Sequence, residues 1–242
     1  MALKPKYTLE GFKTVASREF TDREEFVDSF LKNLQTKEKD TYSVLVYYGV
    51  GGVGKTSLRK KLNAILKKDY EDHILGILDF DVANYREPET GLYVLRKNLS
   101  EKYKIPFPIF DIAYSIYWKK INPTLPLSKE TFPLLEQGGI VADLISIISD
   151  VPVVGMVPKI LNFTFKGKET LTKYIHSMKN ELYNLQHLEP NDIVQRLPLY
   201  LASDLKKSID ATNKNIVIFI DTYEALWEGK KMKASFSYKM SG

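Results

Sequence analysis

The spacing of apolar residues changes period several times along this chain, and each change marks an element. Phe26, Phe30, Leu31 and Leu34 recur at helical spacing. Ahead of them Thr21 and Glu24 form a capping box, and Phe20 is placed to staple it. Ser43-Val44-Leu45-Val46-Tyr47-Tyr48 is a continuous apolar run of strand length, the pattern of a parallel strand buried on both faces. Leu58, Leu62, Ile65 and Leu66 return to helical spacing, with Lys60, Lys61, Lys67 and Lys68 on the other faces. Ile74 to Phe80 reads as a second strand, ending in Asp79-Phe80-Asp81, and Leu92, Leu95, Leu99 and Tyr103 as a helix.

Residues 105–133 are rich in proline and aromatics, with room for a short helix over Asp111 to Lys120. Gly138 to Leu161 predicts a buried helix followed by an irregular apolar segment, because Pro152 and Pro158 interrupt it. Leu171, Tyr174, Ile175, Met178, Leu182 and Leu185 predict one long helix stopping near Pro190. Leu197, Leu201, Leu205 and Ile209 predict another, starting near Pro198, which suits a first helical turn. Ile216 to Ile220 is the third strand candidate and ends in Asp221. Strands separated by helices imply an α/β fold with a mostly parallel sheet.

One junction carries chemistry. Gly49-Val50-Gly51-Gly52-Val53-Gly54-Lys55-Thr56, followed by Ser57, fits the phosphate-binding loop G-x-x-x-x-G-K-[ST] at every fixed position. It lies between the first strand candidate and a helix, the context that the motif requires. Glycines let the backbone curl so that N–H groups point at phosphate oxygens. Lys55 supplies a point charge for the β- and γ-phosphates and Thr56 a hydroxyl for Mg²⁺. Asp221 ends an apolar strand in the manner of a second Mg²⁺ ligand, since ligands of parallel sheets sit beyond the carboxyl ends of the strands. Glu224, three residues on, is a candidate to accept a proton from, or orient, an attacking water. Asp221 as a turn cap and Glu224 as a first-turn helix residue are the plain structural alternatives.

Composition narrows the partners. The 242 residues carry a net charge of +5, spread over scattered lysines, and contain no cysteine. Disulfides and thiolate metal sites are excluded, and a reducing, cytoplasmic setting is expected. No signal peptide is visible in the first 20 residues, and charges and prolines break the longest apolar stretch, so no membrane span is expected. No helix-turn-helix or single-strand aromatic pattern supports nucleic acid as a partner.

Gly51-Gly52-Val53-Gly54-Lys55-Thr56-Ser57-Leu58 resembles the G-G-x-G-K-T-[ST]-L loop of the STAND class of signal-transduction ATPases, which includes the NACHT and apoptotic-ATPase groups. Asp22-Arg23-Glu24 is similar to the class's G-R-E element, with aspartate in place of glycine, and Asp221-Thr222-Tyr223-Glu224 resembles its second acidic pattern, with Ala225 where a further acid often follows. The resemblance implies a three-layer P-loop NTPase fold over residues 20–229, between a lead-in at 1–19 and a basic tail at 230–242. A helical insertion falls at about 105–210. It further implies ATP and Mg²⁺ as ligands, Arg23 near the base and ribose, and a nucleotide switch that gates oligomerisation in signalling or defence.

The guanine-reading N/T-K-x-D pattern is incomplete at Asn213-Lys214-Asn215, which disfavours a GTPase. A nucleotide-binding interaction module without turnover and a small-molecule kinase are the other readings. The class's next strand and its lid have no counterpart before Gly242, so an incomplete sheet is expected. The chain is then a fragment of a longer protein, or a partner fills the slot, or the strands ending at Tyr48 and Asp221 are direct neighbours.

Overall fold

A computed structural model describes residues 23–35, 44–128, 131–132, 140–165 and 167–227. The chain divides into two compact units, Met1–Leu62 and Asn63–Gly242.

In the first unit, helix α1 (Glu24–Gln35) opens with the Arg23 carbonyl accepting the N–H groups of Phe26 and Val27, both at 3.2 Å. Thr21 and its capping box lie outside the described residues. Phe30 is buried. Phe26 meets the Tyr47 ring edge-on at 5.8 Å, and the Tyr47 hydroxyl donates to the Phe26 carbonyl at 3.1 Å. Otherwise the run expected to be the first strand departs from its pattern. Residues 44–49 form no strand, and Val44 is 82% and Tyr48 93% exposed. An extended run becomes a strand only when a neighbouring backbone takes up its N–H and C=O groups. The apolar pattern alone supplies no such neighbour. Helix α2 (Lys55–Asp69) then starts at the lysine of the glycine loop and buries Leu58, Leu62 and Leu66 on one stripe, as the spacing predicts.

The second unit holds two parallel strands, β1 (His73–Asp79) and β2 (Asn215–Asp221), paired from His73↔Asn215 to Asp79↔Asp221. Parallel neighbours need a long crossover, and here it is a helical block. A short 3-10 turn (Ala83–Arg86) leads into α3 (Pro88–Tyr103), α4 (Pro108–Ile121), α5 (Ile140–Ile148), α6 (Val153–Asn162), α7 (Glu169–Ser177), α8 (Lys179–Leu185) and α9 (Pro190–Thr212). The fold is thus mixed α/β, mostly helical, with a small parallel sheet. Two glycines permit close approach beside β1. A Cβ on Gly76 would stand 2.9 Å from Leu95 Cδ1 of α3, and one on Gly91 would stand 2.6 Å from the Tyr85 carbonyl oxygen. The Leu75 N–H is taken by the Tyr103 hydroxyl at 2.9 Å, so a side chain of α3 satisfies a backbone group of β1.

Helix α4 forms the centre of the core. Every residue from Pro108 to Trp118 is buried, so this helix is enclosed on all sides, its mostly apolar surface in the interior. Helix α9 runs against it with Ile193, Leu197, Tyr200, Leu201 and Leu205 buried. Three expectations are corrected in this block. The apolar segment after α5 is helical (α6) despite Pro158. The helix expected over 171–185 is two, broken at Met178. Helix α9 begins at Pro190 and carries Pro198 inside it. An internal proline costs about 3 kcal/mol, and burial of five large side chains against α4 outweighs it at ~1.5–3 kcal/mol each.

The core also encloses charge. Arg96 of α3 and Asp111 of α4 are 3% and 1% exposed and form a two-pronged pair, Nε to Oδ1 at 2.8 Å and Nη2 to Oδ2 at 2.6 Å. Asp204 of α9, 1% exposed, accepts the N–H of Phe110 at 2.9 Å and that of Ile109 at 3.4 Å, capping α4 from a neighbouring helix. Burial pushes Asp111 up to about 6 against the pull of Arg96. It pushes Asp204 up to about 8 against the N–H of Phe110. Among the described residues no helix is long and apolar enough to cross a membrane.

Candidate functional site

The glycine loop takes its shape from two left-handed residues. Gly52 and Gly54 have φ of +81° and +85°, conformations that a side chain would strain. Gly49, Gly51, Gly52 and Val53 are exposed, and Gly54 is half-buried at the loop's end. The hydrogen-bond ladder of α2 starts at once, with the Leu58 N–H on the Gly54 carbonyl at 3.0 Å. The positive pole of a 15-residue helix therefore stands at Lys55, Thr56 and Ser57, with no acidic residue in its first turn to offset it. Lys55 turns back over the loop. Its Nζ donates to the carbonyls of Gly49 at 2.9 Å and Val50 at 3.4 Å. Thr56 and Ser57 are exposed on the first turn. Arg23 reaches the same place from the head of α1. Its Nη2, Cζ and Nη1 lie 3.4, 3.6 and 3.7 Å from the position a Gly54 Cβ would occupy.

The second unit carries the expected acids. Asp221 closes β2 and is 7% exposed. Its Oδ1 accepts the Thr222 N–H at 3.0 Å. Thr222 has φ of +56°, an uncommon setting for a β-branched residue, and its hydroxyl donates to Asp79 Oδ1 at 3.2 Å. The Asp81 N–H reaches that same Asp79 oxygen at 3.1 Å. Glu224 is exposed on the turn that follows, and Ala225 is buried beside Leu78 and Phe80. Tyr223 and Trp227 meet edge-on at 6.3 Å and are 53% and 46% exposed.

Sequence reasoning gave Asp79 no role. Both strand ends are legible as apolar runs closing on aspartate, but the register that makes Asp79 and Asp221 direct neighbours is not. Of the expected site residues, the first unit brings together Arg23, the loop glycines, Lys55, Thr56 and Ser57; the second holds Asp221, with Glu224 three residues on, and sets the unexpected Asp79 beside Asp221.

The chemistry of each part differs. Around the loop stand a guanidinium, an ammonium and a helix N-terminus, a donor set suited to an anion. Among the described residues no group of three or more histidines, cysteines or acids could hold a metal by itself. No family model, curated protein or solved structure matches this chain.

Proposed function

We propose that this chain is an ATP-binding, Mg²⁺-dependent nucleotide switch module of the STAND type. The observation that carries the reading is the loop of Gly49 to Ser57. It combines a complete phosphate-loop sequence, two left-handed glycines, an immediate helix start and a lysine that can leave two loop carbonyls for phosphate oxygens. The triphosphate lies in the loop against the N-terminal amides of α2, and Lys55 exchanges its bonds to Gly49 and Val50 for bonds to the β- and γ-phosphates. Thr56 and Asp221 are the residues that would hold Mg²⁺, which would supply positive charge against that of the phosphates. Asp79 steadies the turn after Asp221 through the Thr222 hydroxyl. Glu224 accepts a proton from, or orients, the attacking water. In a switch such chemistry resets a conformation instead of accumulating a product.

Equilibrium titration with ATP in Mg²⁺ tests this. Lys55→Ala lowers affinity by at least about tenfold, the worth of a charged hydrogen-bond partner. Unchanged affinity in that variant sinks the nucleotide reading. Phosphate release that Glu224→Gln slows supports hydrolysis, whereas transfer to an added metabolite points to a kinase. A second reading, a nucleotide-binding interaction module without turnover, draws on the exposed apolar run at residues 44–48. ATP binding with no phosphate release favours it.

A further inference from the structure

We infer that Arg23 is a second phosphate-contacting cation of the loop, one that binds the polyphosphate and not the base. This deepens the proposed nucleotide reading and rests on it. Three observations carry the inference. The first is the near-equal approach of Nη2, Cζ and Nη1 to the Gly54 Cβ position, at 3.4, 3.6 and 3.7 Å, which turns one face of the guanidinium onto the loop. The N–H donors lie in the plane of that group, so packing by the face leaves the donor fork open for two oxygens of a phosphate.

The second is that, among the described residues, no hydrogen bond or ion pair engages the fork, although Glu24 and Glu25 are neighbours of Arg23 in sequence. The third is the field in which it sits. The guanidinium stands against the last glycine before the positive pole of α2, beside Lys55 and with no acid in the first turn of that helix. An anion placed there is favoured by both the guanidinium and the helix pole. The backbone fixes the arrangement, because the Arg23 carbonyl is bound by the N–H groups of Phe26 and Val27 at the head of α1.

The test compares three probes on the full chain: ATP, GTP and inorganic tripolyphosphate, each titrated with wild type, Arg23→Ala, Arg23→Lys and Lys55→Ala. Arg23→Ala weakens ATP and tripolyphosphate by a similar factor, about tenfold, and leaves the ATP-to-GTP ratio unchanged. Arg23→Lys restores part of the loss, and carries the test if the alanine variant melts early. A loss confined to ATP, or a changed ATP-to-GTP ratio, assigns Arg23 to the base and overturns the inference; so does wild-type affinity of both Arg23 variants for tripolyphosphate. Failure of the nucleotide reading looks different: Lys55→Ala then binds all three probes as wild type does, or wild type binds none.

Discussion

The glycine loop and the core around α4 handle charge in opposite ways. In the core, ionisable groups are enclosed and matched. Arg96 grips Asp111 with two hydrogen bonds, and Asp204 receives the amides that open α4. At the loop, charges of one sign collect near the surface. Lys55 rests on main-chain carbonyls, Arg23 lies on a glycine, and no acid stands in the first turn of α2. A buried ion must be matched or the fold fails. A partly exposed one keeps its hydration and needs no such match. The contrast separates charge fixed by packing from charge left within reach of solvent.

That contrast can be broken most severely at Arg96. Arg96→Ala leaves Asp111 and Asp204 facing each other in the core and costs about 3–5 kcal/mol, read as a lower urea midpoint for the helical unit. Arg96→Met combined with Asp111→Leu recovers most of it, because an apolar pair of similar volume needs no counter-charge. A double variant as unstable as the single one would show that the pair does more than neutralise itself.

The next largest effect is on the pH profile. Asp204 is raised from the ordinary carboxylate range to about 8 by burial. The folded chain therefore holds this proton more tightly than the unfolded chain does. Its contribution to stability is complete below about pH 4 and is lost as pH rises toward 8. Thermal melts between pH 4.5 and 8.5 should fall with pH, and Asp204→Asn should flatten that slope. The remainder belongs to Asp111, whose carboxyl is raised to about 6 and titrates beside Arg96. Equal slopes in the two proteins would show that Asp204 stays charged.

Gly91→Ala sharpens the comparison with a purely steric change. Its Cβ meets the Tyr85 carbonyl oxygen at 2.6 Å, and backbone that cannot yield costs about 1–3 kcal/mol. The smallest effect is expected at the loop itself. Lys55→Ala should shift stability by less than ~0.5 kcal/mol, as surface changes do, while removing affinity for ATP. Destabilisation as large as that of Gly91→Ala would make Lys55 a structural residue.

Much of this division was legible in the sequence. Period changes located α2, α3, β1 and β2 to within a few residues, because each helix buries one stripe and each strand is a short apolar run closing on aspartate. The prolines misled for one shared reason. Pro158 and Pro198 cost their helices a hydrogen bond each, a local loss, whereas burial against α4 is a tertiary gain that no short window contains. The run at 44–48 misled in the opposite direction, since β-propensity describes a strand's fit to a neighbour without supplying one. The loop motif was readable because its residues are consecutive. The Asp79–Asp221 neighbourhood and the Arg96, Asp111 and Asp204 cluster were not, because each joins segments far apart in the chain and depends on register or on helix packing.

The two tryptophans of the chain turn the same division into an optical one. Trp118 is sealed in the core against Phe132, and Trp227 lies half in solvent, just past Asp221. Replacing Trp118 with phenylalanine leaves a single tryptophan emitter six residues past Asp221, so changes at the end of β2 can be followed by intrinsic fluorescence without attaching a dye.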